Sequence, residues 1–456
     1  MNWSTSLKNS YYWAIVLAVV VNIFSWHLPF FWDSILTSTN SQFFFEQGWN
    51  GLLLPTLFDA GHPPFFYVYI TLFYFIFGKT LLAVHLAMLP ITLLGIISFV
   101  ALLNIFKIEK RLHVVACILF FSIPAVLTQY TLVSYDAAML SLYLAALVAY
   151  FKQRKFLLTL FSILLVSVSL RGSIALAALS ASIFFLEKQN IKSWLKWNVC
   201  FLPAIFFLIV WLIYHYVETG WLISTPSENW ITQRGFADAN QLVINVVSIV
   251  RCFVDVGVVV LSLLCLFYFI KYKKINSVFL ICIVPFVLFS ISFLPFQNPI
   301  AHRYYLIVYV LMLIPILSWL KNKSVLYGII IACLLILGNF QIYPAPISNA
   351  WDCTMTYLSY QKCMNAFNQE NKIKKTEIAS VFPMMCSEQQ TLLNSDSTRL
   401  IDIQGKTLDS IPYVLYSNVG NDFSDEQFHQ LKKWEKLQEW KHGFVYFILY
   451  KNPTIK

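Results

Sequence analysis

Ionisable side chains are sparse in the first three quarters of this 456-residue chain, and several stand at the ends of long apolar runs. Asp33 follows the first run directly, in Phe31-Trp32-Asp33-Ser34. Asp59 and His62 come next, in Asp59-Ala60-Gly61-His62-Pro63-Pro64-Phe65-Phe66-Tyr67. Asp136 opens a run in Ser134-Tyr135-Asp136, Arg171 divides one in Leu170-Arg171-Gly172, and Arg303 and Tyr304 open another in His302-Arg303-Tyr304-Tyr305. A charge at or inside a bilayer is costly, so each of these groups is a candidate for function. Pro is favoured at a helix start, because its missing N–H would be unpaired there. Pro63-Pro64 therefore opens a short helix with Asp59 and His62 at its N-terminal end, a place that attracts phosphate. Plainer roles compete with these: Asp33 as the end of a span, Asp136 as an acid favoured by the helix dipole, and Arg303 as a lipid-phosphate contact. His302 reads as structural.

The elements that position these residues follow from composition. The chain is 59% hydrophobic and 12% charged, with mean hydropathy +0.67, whereas soluble domains carry about twice that charged fraction. About 24 of the 54 Asp, Glu, Lys and Arg residues lie beyond position 346. What precedes them is nearly uncharged, and only lipid tolerates so much apolar surface. The net charge of +10 and pI of 9.0 do not point to nucleic acid. The basic residues sit in short clusters between apolar runs, the pattern of membrane orientation signals.

Runs long enough to span are 11–31, 80–106, 112–129, 134–151, 198–217, 241–270, 276–295, 304–320 and 324–343. The stretch 156–186 reads as two short spans meeting at Arg171. Residues 64–78 are too short for a span and suit a re-entrant or interfacial helix. The basic clusters are Lys107/Lys110/Arg111, Lys152/Arg154/Lys155, Lys188/Lys192/Lys196, Lys271/Lys273/Lys274 and Lys321/Lys323. An even number of spans separates each from the next, so all can face the cytoplasm with Lys8. The expectation is an all-α polytopic protein of about 11 transmembrane helices, N-terminus inside and C-terminus outside. No small-residue cleavage pattern follows the first run, so it reads as a retained span.

Residues 1–345 then form a transmembrane domain, whose outer loop 32–79 carries interfacial helices, and residues 346–456 form a small α/β domain on the outer side. In the latter, 355–367 reads as a helix, and 378–382, 399–403, 413–416 and 444–450 read as strands. Residues 424–440 read as a helix with the capping box Ser424-Asp425-Glu426-Gln427 and Gly443 beyond its end. Of nine cysteines, six fall in apolar runs, where Cys behaves as a small hydrophobe. Cys353 and Cys363 flank one helix too far apart to bond each other, and either can pair with Cys386 in an oxidising compartment.

An Asp directly after the first span, followed by a His-Pro-Pro-aromatic motif opening a helix, resembles the bacterial family of protein O-mannosyltransferases and lipid A aminoarabinose transferases. These are GT-C fold enzymes. The resemblance continues through Ser134-Tyr135-Asp136, Leu170-Arg171-Gly172 and His302-Arg303-Tyr304-Tyr305, covering roughly residues 10–320 in order. The family often has a second acid beside the first-loop Asp, where Ser34 stands here. The resemblance implies a polyprenyl-phosphate sugar donor in the bacterial inner membrane and an acceptor protein, lipid or glycan at its outer face. Nucleotide sugars are absent there, so a lipid donor fits. The leaving phosphate needs little protonation, so one carboxylate base suffices, unlike the pair in glycosidases. Asp33 is the expected base and Arg171 and Arg303 the cations for the phosphate. Asp59, His62, Asp136 and Tyr304 are expected to position substrate or metal, with Asp33, Asp59 and His62 as ligands if a divalent ion is used. The displacement would be inverting.

Other classes remain in play. An oligosaccharide transferase or ligase with a lipid-linked donor often has a much larger outer domain. A transporter or flippase would place paired charges and broken helices at mid-membrane. A scaffold would tolerate loss of Asp33.

Overall fold

Apolar runs separated by capped turns give a helical bundle with a small sheet at one end. The computed structural model describes all residues except 1–2, 29, 57–58, 223–224, 227–234, 274–275, 298–299, 322, 341–350, 385–399, 404–405, 420–422 and 456. The helices begin with α1 (Trp3–Ser25), α2 (Asp33–Gln47), α3 (Phe65–Phe77), α4 (Leu81–Ile105), α5 (His113–Ser122) and α6 (Pro124–Thr131). Next come α7 (Tyr135–Phe151), α8 (Lys155–Val168), α9 (Arg171–Leu186), α10 (Ile191–Asn198), α11 (Leu202–Thr219) and α12 (Ala239–Val254). The remainder are α13 (Val258–Tyr272), α14 (Ser277–Phe293), α15 (Leu306–Leu320), α16 (Val325–Leu337), α17 (Tyr357–Glu370) and α18 (Asp425–Leu431).

Helix α7 is buried almost all round. Its Ala137, Ala138, Ala145, Ala146 and Ala149 let α4, α8, α9 and α15 approach closely. Helices α8 and α9 are the two short helices expected to meet at Arg171. A Cβ on Gly172 would lie 1.9 Å from the Leu165 carbonyl oxygen, so only glycine lets the start of α9 pass α8.

Among the described residues, Leu81–Ile105, Ile191–Thr219 and His302–Leu320 are each long and apolar enough to cross a membrane. Two bent pairs raise the number to 5, and seven further apolar helices have 10–17 residues. The expected number of spans, about 11, is not reached by length and composition alone. Two expected single spans are broken. Within 112–129 the chain turns by 74° at Pro124, which lacks the N–H to continue α5 and leaves Ile123 extended. Within 241–270, α12 and α13 meet at 85°. Gly257 takes φ 78 there, and a Cβ on it would lie 2.9 Å from the Leu335 carbonyl oxygen.

The basic clusters meet at one end of the bundle. Arg111 donates to the Lys321 carbonyl, Phe106 packs on Phe151, Lys155 lies over Trp197, and Phe267 packs on Trp319. The start of α1 is there too, with Ser10 bonded to His113 at 3.1 Å. Asp136, Arg171 and Arg303 lie at the opposite ends of α7, α9 and the segment ending in α15. The 17 residues of α7 separate the two ends by about 25 Å. Helix α3 starts beside Tyr135, through His62 and Phe66. It finishes next to the start of α4, whose His85 bonds the Leu28 carbonyl beyond α1 at 2.8 Å. Both of its ends therefore lie at the acid-and-arginine end.

Strands β1 (Ile378–Ser380), β2 (Ile401–Asp402), β3 (Tyr413–Ser417), β4 (Glu435–His442) and β5 (Val445–Lys451) form one sheet of order β2-β1-β3-β5-β4. The first three are mutually parallel, and β5 runs antiparallel to β3 and β4. The helix expected over 424–440 stops at Leu431. The capping box is present, but β4 follows and forms a hairpin with β5 around Gly443, at φ 59. Leu431, Trp434, Leu437 and Trp440 have a helix-like spacing, yet pairing Trp440 opposite Phe447 buries Trp440 against α17. Cys353 and Cys363 are buried thiols, and Cys386 lies outside the described residues. Helix α17 joins the sheet to the bundle, because Tyr357 and Tyr360 pack on Phe31 with ring centroids 5.9 and 5.1 Å away.

Candidate active site

Five helix starts or turns deliver charge to one cleft. Trp32 takes φ 56, a conformation that costs a bulky residue on the order of 1–3 kcal/mol and collects at functional sites. It turns the chain so that Asp33 begins α2. The Ser34 hydroxyl caps the same turn, donating to the Phe31 carbonyl at 2.6 Å and accepting from the Phe31 N–H at 2.8 Å. Ser134 caps α7, accepting the Asp136 N–H at 3.1 Å.

The side chains interlock around two guanidiniums. Arg171 faces Asp136 with both terminal nitrogens, at 3.1 and 3.4 Å. Its guanidinium lies 4.1 Å from the centre of the Tyr304 ring and 5.1 Å from that of Tyr135. Arg303 points Nη2 at Asp33 Oδ2 at 2.8 Å and Nε at Asp136 Oδ2 at 3.5 Å, while Nη1 bonds Asp352 Oδ2. The Tyr135 hydroxyl reaches Asp33 Oδ2 at 3.5 Å. The cleft is narrow and is lined by Phe31, Asp33, Thr37, Gln129, Asp136, Arg303 and Asp352 among others. Asp33 is the carboxylate open to it: its side chain is 28% exposed, against 3% for Asp136 and Asp352.

Five predicted residues therefore meet: Asp33, Asp136, Arg171, Arg303 and Tyr304. His62 meets the lining residue Tyr135 in a T-shaped contact with centroids 5.7 Å apart. Asp59 faces elsewhere. Its Oδ1 accepts the Gly61 N–H at 2.7 Å and its Oδ2 meets His215 Nε2 at 2.9 Å. His215 is clasped in turn by Trp211 and Trp221. His302 is bonded to Asp255 at the α12–α13 break, with Arg251 3.5 Å away on the other carboxylate oxygen.

The divalent-ion set of Asp33, Asp59 and His62 does not assemble. Among the described residues no three His, Cys, Asp or Glu side chains gather as metal ligands. Asp33 is paired with Arg303 and Asp59 with His215, on separate partners.

Sequence reasoning missed Asp352, His215 and Asp255. Asp352 stands in the region read as an outer soluble domain, in a 3-10 turn, Trp351–Cys353. Its signal is thin, one acid between a Trp and a Cys just after the last apolar run. His215 lies within an apolar run, where a lone His reads as packing.

No protein-family model and no curated sequence matches the chain. Two solved structures share its fold over almost its whole length. One is ArnT from Cupriavidus metallidurans bound to undecaprenyl phosphate, with TM-score 0.52, 11% identity and 97% of each chain covered. The other is the same protein in the apo state, with TM-score 0.54, 11% identity and 96% of each chain covered. ArnT is a lipid A aminoarabinose transferase of the GT-C fold, so the GT-C architecture implied by the sequence resemblance is the fold this chain has.

Proposed function

We propose that this chain is a membrane glycosyltransferase that moves a sugar from a polyprenyl-phosphate carrier to an acceptor at the outer face of a bacterial inner membrane. The observation that carries this reading is the cleft itself: one accessible carboxylate, Asp33, held 2.8 Å from a guanidinium at the end of an apolar bundle. The shared fold with a protein crystallised with undecaprenyl phosphate supports a lipid-borne donor.

Asp33 takes the proton of the acceptor as its oxygen bonds to the anomeric carbon. The bond from that carbon to the phosphate oxygen breaks on the opposite face, which inverts the configuration. Arg303 and Arg171 stabilise the charge left on the phosphate. Asp136 holds Arg171, the Tyr304 ring packs on its guanidinium, and His62 packs on Tyr135, whose hydroxyl reaches Asp33. The gathering of basic clusters at the far end fits a cytoplasmic face there, with about 11 crossings, the cleft outside and the sheet domain above it. A transport reading would want charged breaks midway through the bilayer, whereas the break at Asp255 bonds His302, beside the cleft residue Arg303.

The test is turnover of radiolabelled polyprenyl-phosphate sugars by purified protein, with membrane extract as acceptor and divalent ions present and absent. Transfer of label, lost in Asp33→Asn, supports the reading. Neither binding nor turnover across the panel would sink it.

A further inference from the structure

The cleft holds one negative charge too many for an anion site. Three carboxylates, Asp33, Asp136 and Asp352, face two guanidiniums, Arg171 and Arg303. Both terminal nitrogens of Arg303 are paired, Nη2 with Asp33 and Nη1 with Asp352, while Nε lies 3.5 Å from Asp136 Oδ2. Arg171 spends both terminal nitrogens on Asp136. A phosphate approaching Arg303 finds both terminal nitrogens already paired with carboxylates and a net negative surround, so a carboxylate must give way before phosphate can take a terminal nitrogen.

The three acids are not equally replaceable. Asp136 is pinned in α7 and shared between both arginines. Asp33 begins α2 at the constrained Trp32 turn and serves as the base in the proposed reaction. Asp352 sits outside the bundle helices, on the turn that leads into α17. That turn is tied to α6 by side-chain contacts rather than by a shared helix: Gln129 donates to the Asp352 carbonyl at 2.6 Å, Tyr357 donates to the Thr131 hydroxyl at 2.9 Å, and Thr128 and Thr131 reach the Met355 sulfur at 3.7 and 3.9 Å. The Cys353 thiol donates to Asp352 Oδ1 at 3.2 Å.

We propose that Asp352 is a stand-in for the donor phosphate: its carboxylate occupies Arg303 Nη1 in the empty site, and an incoming phosphate takes that nitrogen over. This rests on the proposed function and adds a specificity-determining residue to it. Asp352 keeps the buried Nη1 of Arg303 paired between turnovers, since a buried donor left unsatisfied is destabilising. It also makes the site select for ligands whose anionic group outcompetes a carboxylate. Displacement moves the Trp351–Cys353 turn, and through Tyr357 and Tyr360 that movement reaches the seat of α17 on Phe31.

The experiment is a binding titration of detergent-solubilised full-length protein with undecaprenyl phosphate, comparing wild type, Asp352→Asn and Asp352→Glu. Loss of the competing charge should tighten binding by about fivefold or more, because the binding-competent state no longer has to be won from Asp352. The Glu variant should stay near wild type. Equal or weaker binding by a folded Asp352→Asn protein overturns the proposal. Wild-type protein gives a second readout free of mutation. Maleimide labelling of Cys353, identified by its absence in Cys353→Ser, should accelerate when undecaprenyl phosphate is added, and an unchanged rate at saturating lipid also overturns the proposal. If neither wild type nor any variant binds the lipid, the glycosyltransferase reading fails as a whole, an outcome distinct from binding that ignores Asp352.

Discussion

The cleft and the Asp59–His215 pair are both built from buried ionisable groups at the same end of the bundle, yet they are opposites in design. At Asp59 each carboxylate oxygen has one partner, and one of these partners, His215, is enclosed by two tryptophans. In the cleft three acids compete for two arginines and one acid faces open space. A closed one-to-one pair fixes backbone, here tying the 59–61 loop to the end of α11. An unbalanced network with an accessible member can exchange partners, and a group that exchanges partners can do chemistry.

The sharpest way to break this contrast is Asp33→Asn. It should cut sugar transfer about 10²–10⁴-fold, the usual scale for a lost general base, while undecaprenyl phosphate binding persists. Transfer near the wild-type rate would remove Asp33 from the chemistry. Arg171→Leu should come next. It removes the closer of Asp136's two partners, leaving Arg303 Nε at 3.5 Å, and should lower stability by about 3–5 kcal/mol, read as a fall in thermal unfolding temperature in detergent. Adding Asp136→Asn should recover part of that loss, and no recovery would mean that the two do not act as a pair. His215→Phe should be milder, costing about 1–3 kcal/mol for an unsatisfied Asp59 oxygen, with the transfer rate per folded molecule unchanged. A folded but inactive His215→Phe protein would erase the distinction between latch and site.

The smallest effect belongs to an exposed pair. Glu46 meets Lys79 at 2.6 Å, with its side chain 43% exposed. Burial raises its carboxyl, but the hydrogen bonds from Lys79 and Gln42 outweigh this and hold it below the usual range. Its contribution is therefore present above the unfolded carboxyl value of 4.5 and fades as pH falls through the lower folded value. Glu46→Gln should change stability by less than about 0.5 kcal/mol, with the difference vanishing in acid and at high salt. A larger shift would put this loop among the closed pairs.

Much of the bundle was legible because lipid enforces simple rules. Apolar length, basic clusters and the expense of Arg171 between two short runs located α8, α9 and the charged ends of α7 and α15. The cleft was legible where a charge interrupted an apolar background, as at Asp33, Asp136 and Arg303. It was not legible at Asp352, because an acid in a polar region carries no cost that a reader can see. The same blindness applies to partners: nothing local to Asp59 says that it meets a histidine 156 residues later. The run through 241–270 was read as continuous, although Arg251, Asp255 and Gly257 interrupt it. The spacing at 431–440 mimicked a helix because sheet pairing is decided by the distant partner strand, not by the segment itself.

The sequence distances within the cleft also set an order of birth. Synthesis delivers the chain from its N-terminus, so Asp136 enters the membrane before either arginine exists. Arg171 follows only 35 residues later, and the α7–α9 unit can be neutralised as soon as it is made. Arg303 arrives far behind, finds Asp33 and Asp136 waiting, and is followed by Asp352 after a further 49 residues. The last counter-charge thus comes from the segment that leads into the sheet domain. A ribosome-bound chain truncated before Asp352 would hold a cleft with equal numbers of acids and arginines, one carboxylate short of the finished protein.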